Sequence, residues 1–299
     1  MRILVTGGTG FLGGAFVRAA VAAGHQLAVL SRAKAGDRNG RTLGEAGVQR
    51  WVGSLGFPPW RELEKFAPEA CVHAAWIATP GVYLESPENH DWVRWSADFL
   101  TRLPAWGVRH LTVLGTCIEY QITGQKLLED VTPLAPVSTY ARCKCALHEA
   151  LVGGGLPTSA PLAWARIFYP YGVGEHPARL ASSLLAKFRR GEPVSLKTPR
   201  STKDYIHADD LAAALLAVVE QGFAGPVNIG TGEGVTVERV ARELGRLMGR
   251  SELIQVPENP PADPLDYVVA DATRLRSLGW KPQVTLEAGL RRLVEAGAS

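Results

Sequence analysis

Residues 1–32 of the chain read MRILVTGGTGFLGGAFVRAAVAAGHQLAVLSR. Residues 3–5 form a short apolar run with the β-branched character of a buried parallel strand. Gly7, Gly10 and Gly13 follow, and then come an apolar pattern typical of a helix and a second apolar run at residues 27–30. A strand, a glycine-rich turn, a helix and a strand in this order predict a dinucleotide-binding βαβ unit.

The three glycines are expected to have separate roles in this unit. Gly7 permits the tight turn, Gly10 lets the backbone approach a pyrophosphate, and Gly13 lets the helix pack close to the strand. The phosphates then bind unpaired N–H groups at the positive end of the helix. The predicted cofactor contacts of the turn and the helix start are Gly7, Thr9, Gly10, Phe11, Leu12 and Gly13.

The end of the second strand predicts which dinucleotide binds. A carboxylate at this place accepts hydrogen bonds from the ribose of NAD. This chain has Ser31-Arg32-Ala33-Lys34, where two cations suit a 2′-phosphate and no acidic residue repels it. Ser31 and Arg32 are therefore predicted to bind NADP(H), with NAD as the alternative. Solvated loop charges at Arg32 and Lys34 are the competing interpretation.

The composition is ordinary for a globular protein, with 46% hydrophobic and 20% charged residues among 299. A formal net charge of +3, without dense Lys/Arg clusters, argues against a nucleic-acid partner. No apolar run has the length of a membrane span, and the first strand begins too early for a signal peptide. Because Cys143 and Cys145 face different sides of one predicted helix, no metal pair is expected. The prediction is a cytoplasmic protein without a bound metal or a membrane partner.

Strands and helices alternate along the next part of the chain. Strands are predicted at residues 48–52, 71–75 and 111–114, and helices at residues 61–66 and 88–106. This alternation predicts an α/β fold with a doubly wound parallel sheet. Ligands of such sheets bind at the carboxyl ends of the strands, where Ala74 and Ala75 are small enough to let a cofactor approach the backbone.

A second group of candidate residues lies in the middle of the chain. Thr116 follows a predicted strand, and Tyr140 and Lys144 lie four residues apart, on one face of a predicted helix. A phenol has a pKa near ~10, and a neighbouring ammonium favours its ionised form. We predict that Tyr140 exchanges a proton with the substrate, Thr116 hydrogen-bonds the same oxygen, and Lys144 tunes Tyr140. The spacing by itself also fits an ordinary surface helix.

These residues resemble the extended short-chain dehydrogenase/reductases, the group of sugar-nucleotide epimerases, dehydratases and ketoreductases. The similarity covers nearly the whole chain. It rests on TGGTGFLG at 6–13, Thr116 with Tyr140 and Lys144, RIFYPYG at 166–172, KDYIHADDL at 203–211, NIGTG at 228–232 and LGWKP at 278–282.

The resemblance implies two lobes and a nucleotide-sugar substrate. A Rossmann domain would span residues 1–165, with 203–230 returning to it, and a smaller discontinuous lobe would comprise 166–202 and 231–299. Further implied cofactor contacts are Ser54, Leu55, Ala74, Ala75, Trp76, Tyr140, Lys144 and Tyr169. The substrate would contact Thr116 and Tyr140 and the basic residues His176, Arg179, Lys187, Arg200 and Lys203. The resemblance also implies a homodimer, because the subunits of family members often associate through two helices each.

At several positions the sequence departs from the family pattern, and these departures narrow the range of reactions expected. Dehydratases of the group carry Asp-Glu directly after the catalytic Thr, where this chain has Cys117-Ile118. Glu119 is expected to point to the other face if the backbone there stays extended, so dehydration is not expected. Trp92 stands where a helix Asn usually supports the site, and Lys203 replaces an Arg and its bidentate fork.

Two other features are given structural interpretations. Asp209 and Asp210 are expected to cap a helix rather than to take part in chemistry. Core packing is favoured over a sugar platform for the tryptophans Trp76, Trp92, Trp95 and Trp106.

The sequence favours an NADPH-dependent reductase of a nucleotide-linked 4-keto-6-deoxyhexose. Epimerases of the group typically have an acidic residue after the second strand, and Ser31-Arg32 departs from that pattern. The alternative is an NAD-dependent sugar-nucleotide 4-epimerase that uses the same Thr116, Tyr140 and Lys144. A non-catalytic NADP-binding regulator is a third hypothesis, which the intact set of three residues argues against.

Overall fold

The computed structural model describes residues 1–32 and 47–297. Its strands are β1 (Arg2–Thr6), β2 (Gln26–Ser31), β3 (Val48–Val52), β4 (Ala70–His73), β5 (His110–Thr116), β6 (Leu162–Ile167), β7 (Tyr169–Tyr171), β8 (Val194–Ser195), β9 (Thr202–Lys203), β10 (Tyr205–His207), β11 (Gly225–Ile229), β12 (Val235–Thr236), β13 (Ile254–Gln255) and β14 (Tyr267–Val268). Its α-helices are α1 (Phe11–Ala22), α2 (Trp60–Phe66), α3 (Glu88–Arg102), α4 (Thr139–Ala150), α5 (Leu180–Arg190), α6 (Ala208–Glu220), α7 (Val237–Met248), α8 (Thr273–Ser277) and α9 (Leu286–Ala296).

Seven parallel strands form the central sheet, in the order β11-β6-β5-β4-β1-β2-β3. Successive strands leave β1 first toward β3 and then in the opposite direction toward β11, which is the doubly wound arrangement. The predicted α/β fold with a parallel Rossmann sheet is confirmed. Because the strands are parallel, their carboxyl ends all meet at one edge of the sheet.

Apolar side chains cover both faces of this sheet. On one face Ile3 and Val5 pack with Phe16 of α1 and Leu215 of α6. On the other face Leu4 packs in a second buried cluster with residues of α2, α3 and α4. Alternate residues of one strand thus enter opposite layers, and this burial on both sides explains the continuous apolar runs in the sequence.

A separate apolar cluster lies outside the sheet. It joins Leu184 and Phe188 of α5, Leu244 of α7 and Leu290 of α9. β11 adds to the edge of the large sheet, and α6 packs against α1, so residues 208–229 belong with the sheet. These contacts support the proposed division into a cofactor domain and a smaller lobe.

Helix ends differ from the prediction in two places. The predicted helix at 88–106 is an α-helix only to Arg102, and Leu103–Trp106 is a 3₁₀ turn, because Pro104 lacks the N–H that would continue the α-helix. The N-cap of α6 is His207, whose Nδ1 accepts from the N–H of Asp209 at 3.2 Å. The expected capping by Asp209 and Asp210 was therefore wrong.

Asp210 instead ties the end of the chain to α6. Its two carboxylate oxygens accept the N–H groups of Gln283 and Val284, each at 2.9 Å. Asp209 is paired with Arg292 of α9 at 3.0 Å. Across residues 1–32 and 47–297, no helix combines the length and the apolar character needed to cross a membrane.

Candidate active site

The turn between β1 and α1 is built so that only glycine fits at two positions. Gly7 has φ +71°, and a Cβ there would lie 2.6 Å from the backbone N of Ala75. A Cβ on Gly13 would lie 2.2 Å from the carbonyl oxygen of Gly7. Helix α1 starts after Gly10 without a side-chain cap from any described residue, so its first N–H groups are available to a ligand. These features fit a dinucleotide pyrophosphate.

The other predicted cofactor residues near this turn lie at the same edge of the sheet. Ser31 ends β2, Arg32 follows it and is exposed, and residues 74–76 follow β4. Sequence reasoning missed Arg50 of β3, whose Nε donates to Ser31 Oγ at 3.3 Å. Strand pairing brings Arg50 there, and nothing local in the sequence signals that contact. Lys34 lies outside the described residues.

Ser54 and Leu55 follow β3 at the same edge. Ser54 forms a turn with Phe57, whose N–H donates to Ser54 Oγ at 3.2 Å. The side chain of Leu55 is buried and belongs to the apolar core around α3. Only the backbone of Leu55 is left for the predicted cofactor contact, because its side chain is taken up by packing.

Thr116, Tyr140 and Lys144 are brought together by β5 and α4. Thr116 is the last residue of β5, and α4 begins after Ser138, whose Oγ accepts from the N–H of Ala141 at 3.2 Å. Thr116 lowers the pKa of Tyr140, which places the two hydroxyl groups near each other. Lys144 Nζ donates to the carbonyl oxygen of Leu114 at 2.7 Å. A phenol, a hydroxyl and an ammonium thus lie at the carboxyl end of β5.

Burial dominates the electrostatics of this group. It raises the pKa of Tyr140 far above its ordinary value, and the nearby Thr116 hydroxyl opposes that rise. Burial also lowers the pKa of Lys144 to about 7, against the attraction of Glu119. Lys144 Nζ is directed at Leu114 and lies 5.9 Å from the Tyr140 ring centroid. The expectation that Lys144, together with an oxidised nicotinamide, brings the pKa of Tyr140 down stays a prediction.

Glu119 does not lie where an extended backbone would put it. The chain forms a 3₁₀ turn over Cys117–Glu119, and the fully buried Glu119 carboxylate accepts from the N–H of Thr116 at 2.7 Å. Its other oxygen accepts from Arg166 Nε at 2.8 Å and Trp164 Nε1 at 3.0 Å. Three donors hold this carboxylate, so it fixes the end of β5 and is not placed to transfer protons to a substrate.

The predicted substrate residues fall into two places. Arg179, the N-cap of α5, has its Cζ 5.4 Å from the ring centroid of Tyr83. Tyr83 in turn packs edge-on against Tyr140, with 4.9 Å between centroids. In the described part of the chain the Arg179 guanidinium has no ion pair or hydrogen bond, so its charge is available beside the catalytic candidates. His176 lies in the preceding loop and Lys187 further along α5.

The second place surrounds a cavity of about 380 Å³ in the smaller lobe, lined in part by Arg200, Asp263 and Tyr267. Lys203 is buried beside it, and its Nζ is paired with Asp263 at 3.0 Å and with the carbonyl oxygen of Leu265. Asp263 therefore already balances the charge of Lys203, and contact of Lys203 with a substrate nucleotide stays a prediction. Arg200 is exposed.

Tyr169 connects the two places. Its ring lies 5.5 Å from Lys203 Nζ and 6.0 Å from the ring centroid of Tyr205. Burial raises the pKa of Tyr169 well above its ordinary value, and Cys117, next to Thr116, adds to the rise. The side chain thus lies between the end of β5 and the smaller lobe, where its predicted contact with a nicotinamide stays a proposal.

Residues 3–230 match the model of the NAD dependent epimerase/dehydratase family. The chain belongs to this family. It is therefore an oxidoreductase-type enzyme of the extended short-chain dehydrogenase/reductase group, as its motifs predicted. The third hypothesis, a non-catalytic regulator, finds no support in this assignment.

Relatives and solved structures extend this similarity over the full chain. UDP-glucose 4-epimerase of Corynebacterium glutamicum is 25% identical over 99% of this chain and 94% of that protein. UDP-glucuronic acid decarboxylase 3 of Arabidopsis thaliana is 25% identical, over 99% of this chain and 88% of that protein. The structure of Thermus thermophilus UDP-glucose 4-epimerase in complex with NAD is 28% identical, covers both chains completely and has a TM-score of 0.84. The fold alone is shared with dTDP-glucose 4,6-dehydratase of Bacillus anthracis, which is 21% identical over 100% of this chain and 96% of that one, with a TM-score of 0.84.

Proposed function

We propose that the protein is a nucleotide-sugar 4-epimerase that oxidises and re-reduces carbon 4 of the sugar. The observation that carries this proposal is the cluster of Tyr140, Thr116 and Lys144 at the carboxyl edge of the sheet. The carboxylate of the nearby Glu119 is already bound by other residues of the protein. Ile118 has no ionisable group, and the Glu119 carboxylate is held by three donors. The site can therefore move a hydroxyl proton, but these two positions do not supply the additional acid that elimination of water requires.

The chain's own residues would act as follows. Tyr140 takes the proton from the sugar hydroxyl and later returns it, while Thr116 holds the same oxygen by a hydrogen bond. Lys144, together with the positive charge of an oxidised nicotinamide, would favour the phenolate, while burial disfavours it. A bound nicotinamide would supply the hydride chemistry at carbon 4. The glycine turn and the free N–H groups of α1 would hold its pyrophosphate.

The comparisons support the epimerase over the reductase that the sequence favoured. UDP-glucose 4-epimerases of Corynebacterium glutamicum and Streptomyces lividans match along almost the whole chain. The 28% identical Thermus protein is also a UDP-glucose 4-epimerase. A UDP-4-keto-L-rhamnose-reductase activity is named for a trifunctional protein of Arabidopsis thaliana, but the match covers only 25% of that protein.

A 4-ketoreductase remains the second candidate because of the residues after β2. Ser31 and Arg32 place no carboxylate at the ribose end of the site, and Arg50 adds a guanidinium bonded to Ser31. This surrounding suits the 2′-phosphate of NADPH, which a reductase would consume. NAD is named with several of the structural neighbours, so the cofactor is the point on which the two candidates differ.

A nucleotide-linked sugar is the substrate class that the site supports. Among the described residues the Arg179 guanidinium has no ion pair. It lies against the ring of Tyr83, which packs against the ring of Tyr140. A positive charge at this place suits an anionic group of the substrate. The separate cavity of about 380 Å³ in the smaller lobe, lined in part by Arg200, is large enough for part of a nucleotide. The proposed homodimer and the cytoplasmic location stay predictions from the sequence.

The test is to incubate the purified protein with UDP-glucose or UDP-galactose and to follow each sugar by chromatography without added cofactor. An epimerase interconverts the two and shows no net change in absorbance at the NADH wavelength. The control is a parallel titration with NADPH and NADH of the wild type and of Arg32→Ala. NADPH preference that is lost in Arg32→Ala, together with no interconversion, would move the proposal to the reductase.

A further inference from the structure

Trp76 is held in a fixed orientation beside the catalytic candidates. It follows β4, and its indole Nε1 donates to Asn89 Oδ1 at 2.8 Å. Asn89 is fully buried at the start of α3, and its Nδ2 donates to the carbonyl oxygens of Tyr83 at 2.7 Å and Ser86 at 2.9 Å. All three of these Asn89 bonds are of normal length, so the amide fixes the plane of the indole ring.

The face of this ring is turned toward Lys144. Lys144 Nζ lies 3.8 Å from the centroid of the Trp76 ring, well inside the range of a cation–π interaction. Leu114 is its one hydrogen-bond acceptor among the described residues, at 2.7 Å. An ammonium has three hydrogens, so one points to Leu114 and another to the ring, and the third is free for a ligand.

The ammonium needs this support because its surroundings do not favour a charge. Lys144 is 3% exposed, and no carboxylate of the described residues forms an ion pair with it. Glu119 attracts it from a distance but is paired with Arg166. His73 is neutral at physiological pH, since burial, with the charge of Lys144 adding to it, lowers the pKa of His73 to about 3.

We propose that Trp76, anchored by Asn89, is a positioning residue that keeps Lys144 protonated and directs its ammonium toward the catalytic site. Tryptophan offers the most negative aromatic face of the natural side chains, and the effect grows where water is excluded. The indole replaces the carboxylate that would otherwise hold a buried lysine, without neutralising the charge that Tyr140 requires. The consequence for turnover rests on the proposed function, but the protonation of Lys144 does not.

The first experiment measures the pKa of Lys144 directly in the cofactor-free protein. Lysine labelled with ¹³C at Cε reports protonation by NMR, and the Lys144→Arg variant assigns the signal. The protein is prepared with tryptophan and with 5-fluoro- and 5,7-difluorotryptophan, which weaken the cation–π interaction at nearly constant ring size. We expect the pKa of Lys144 to fall in steps, by about half a pH unit to one unit in total.

The matched control is the same series in the Trp76→Phe background, where the remaining fluorinated tryptophans should leave the pKa of Lys144 unchanged. An unchanged pKa across the series in the wild-type background would overturn the proposal. So would a shift that persists in Trp76→Phe, because it would come from another tryptophan.

A second measurement follows turnover against pH in Trp76→Leu and Trp92→Leu. Trp92 packs beside Trp76, with 6.1 Å between ring centroids. If Trp76 keeps Lys144 protonated, the alkaline limb of the pH profile should move to lower pH in Trp76→Leu. The same limb should stay in place in Trp92→Leu. An equal loss at all pH values in both variants would assign Trp76 to packing. If the wild type lacks the proposed epimerase activity but the fluorination series still moves the pKa of Lys144, only the proposed function fails.

Discussion

Replacing Glu119 tests whether this buried carboxylate organises the catalytic end of β5. Glu119→Ala removes the acceptor of three donors, the N–H of Thr116, Nε1 of Trp164 and Nε of Arg166. The guanidinium of Arg166 would then keep Tyr120 as its hydrogen-bond partner, at 2.9 Å. A buried cation would be left without its counter-charge.

The expected loss follows from this geometry. The side chains of Glu119 and Arg166 are 0% and 3% exposed, so solvent cannot replace the pair. Breaking such a buried pair by removing one partner costs about 3–5 kcal/mol. Burial lowers the pKa of Arg166, and Glu119, together with Tyr120, more than offsets that effect in the wild type. A guanidinium stays protonated at neutral pH even without this partner, so the variant retains the buried charge. With a urea m-value of ~3 kcal/mol/M, the unfolding midpoint should fall by about 1–1.7 M.

The assay is urea unfolding followed by tryptophan fluorescence and circular dichroism, with three companions to the variant. Asp98→Ala removes an exposed ion pair with Arg102 and should cost less than about 1 kcal/mol. Arg166→Met alone should be as damaging as Glu119→Ala. The double variant should lose clearly less than the sum of the two, because neither buried charge is then left alone.

A loss below about 1 kcal/mol in Glu119→Ala, or strict additivity in the double variant, would contradict a buried Arg166 charge that depends on Glu119. Either result would mean that water or another group compensates Arg166. A stable variant that also keeps full activity would further show that Glu119 does not fix the backbone of Thr116.

Two further predictions concern ligand binding. Gly13→Ala should abolish cofactor binding in calorimetry, because its Cβ would lie 2.2 Å from the carbonyl oxygen of Gly7. Gly153→Ala, with open space around it, should bind the cofactor normally. Equal binding by both variants would contradict a cofactor site at the turn between β1 and α1. Arg179→Gln should raise the KM for a nucleotide sugar about tenfold or more with little change in kcat, through loss of a charge-assisted hydrogen bond. Arg190→Gln, at the exposed end of α5, is its control, and a matching change in both would exclude a specific role for Arg179.

Much of the fold could be predicted because its signals are local. Strands buried on both faces appear as uninterrupted apolar runs, and the turn after β1 can only be built with glycine at Gly7 and Gly13. Tyr140 and Lys144 share a helix face by spacing alone, and β5 places Thr116 next to them. These features need no knowledge of distant contacts.

Several features that the sequence did not reveal depend on partners far away in the chain. Glu119 turns beneath Thr116 because Arg166 and Trp164 of β6 bind it there, and an isolated segment gives no sign of that. Lys203 is neutralised by Asp263, sixty residues later. The pKa of Tyr140 depends on burial, which spacing does not report.

Two residues with contacts at the candidate site, Arg50 and Asn89, could not be found from the sequence for the same reason. Arg50 reaches Ser31 only through the pairing of β2 and β3. Asn89 lies thirteen residues after Trp76 in the sequence and accepts a hydrogen bond from its indole. The residues around Asn89 resemble an ordinary helix start. Such contacts arise from tertiary packing, so they become visible only in the folded chain.

In the proposed reaction Tyr140 moves the proton of the sugar hydroxyl during oxidation and reduction at carbon 4. Turnover of a nucleotide sugar by Tyr140→Phe, alongside calorimetric titration with NAD, tests this role. We expect a fall in kcat of about 10²–10⁴-fold with nearly unchanged cofactor affinity, because only the phenolic oxygen is lost. Turnover within a few-fold of the wild type would contradict it and would assign the proton transfer to another group.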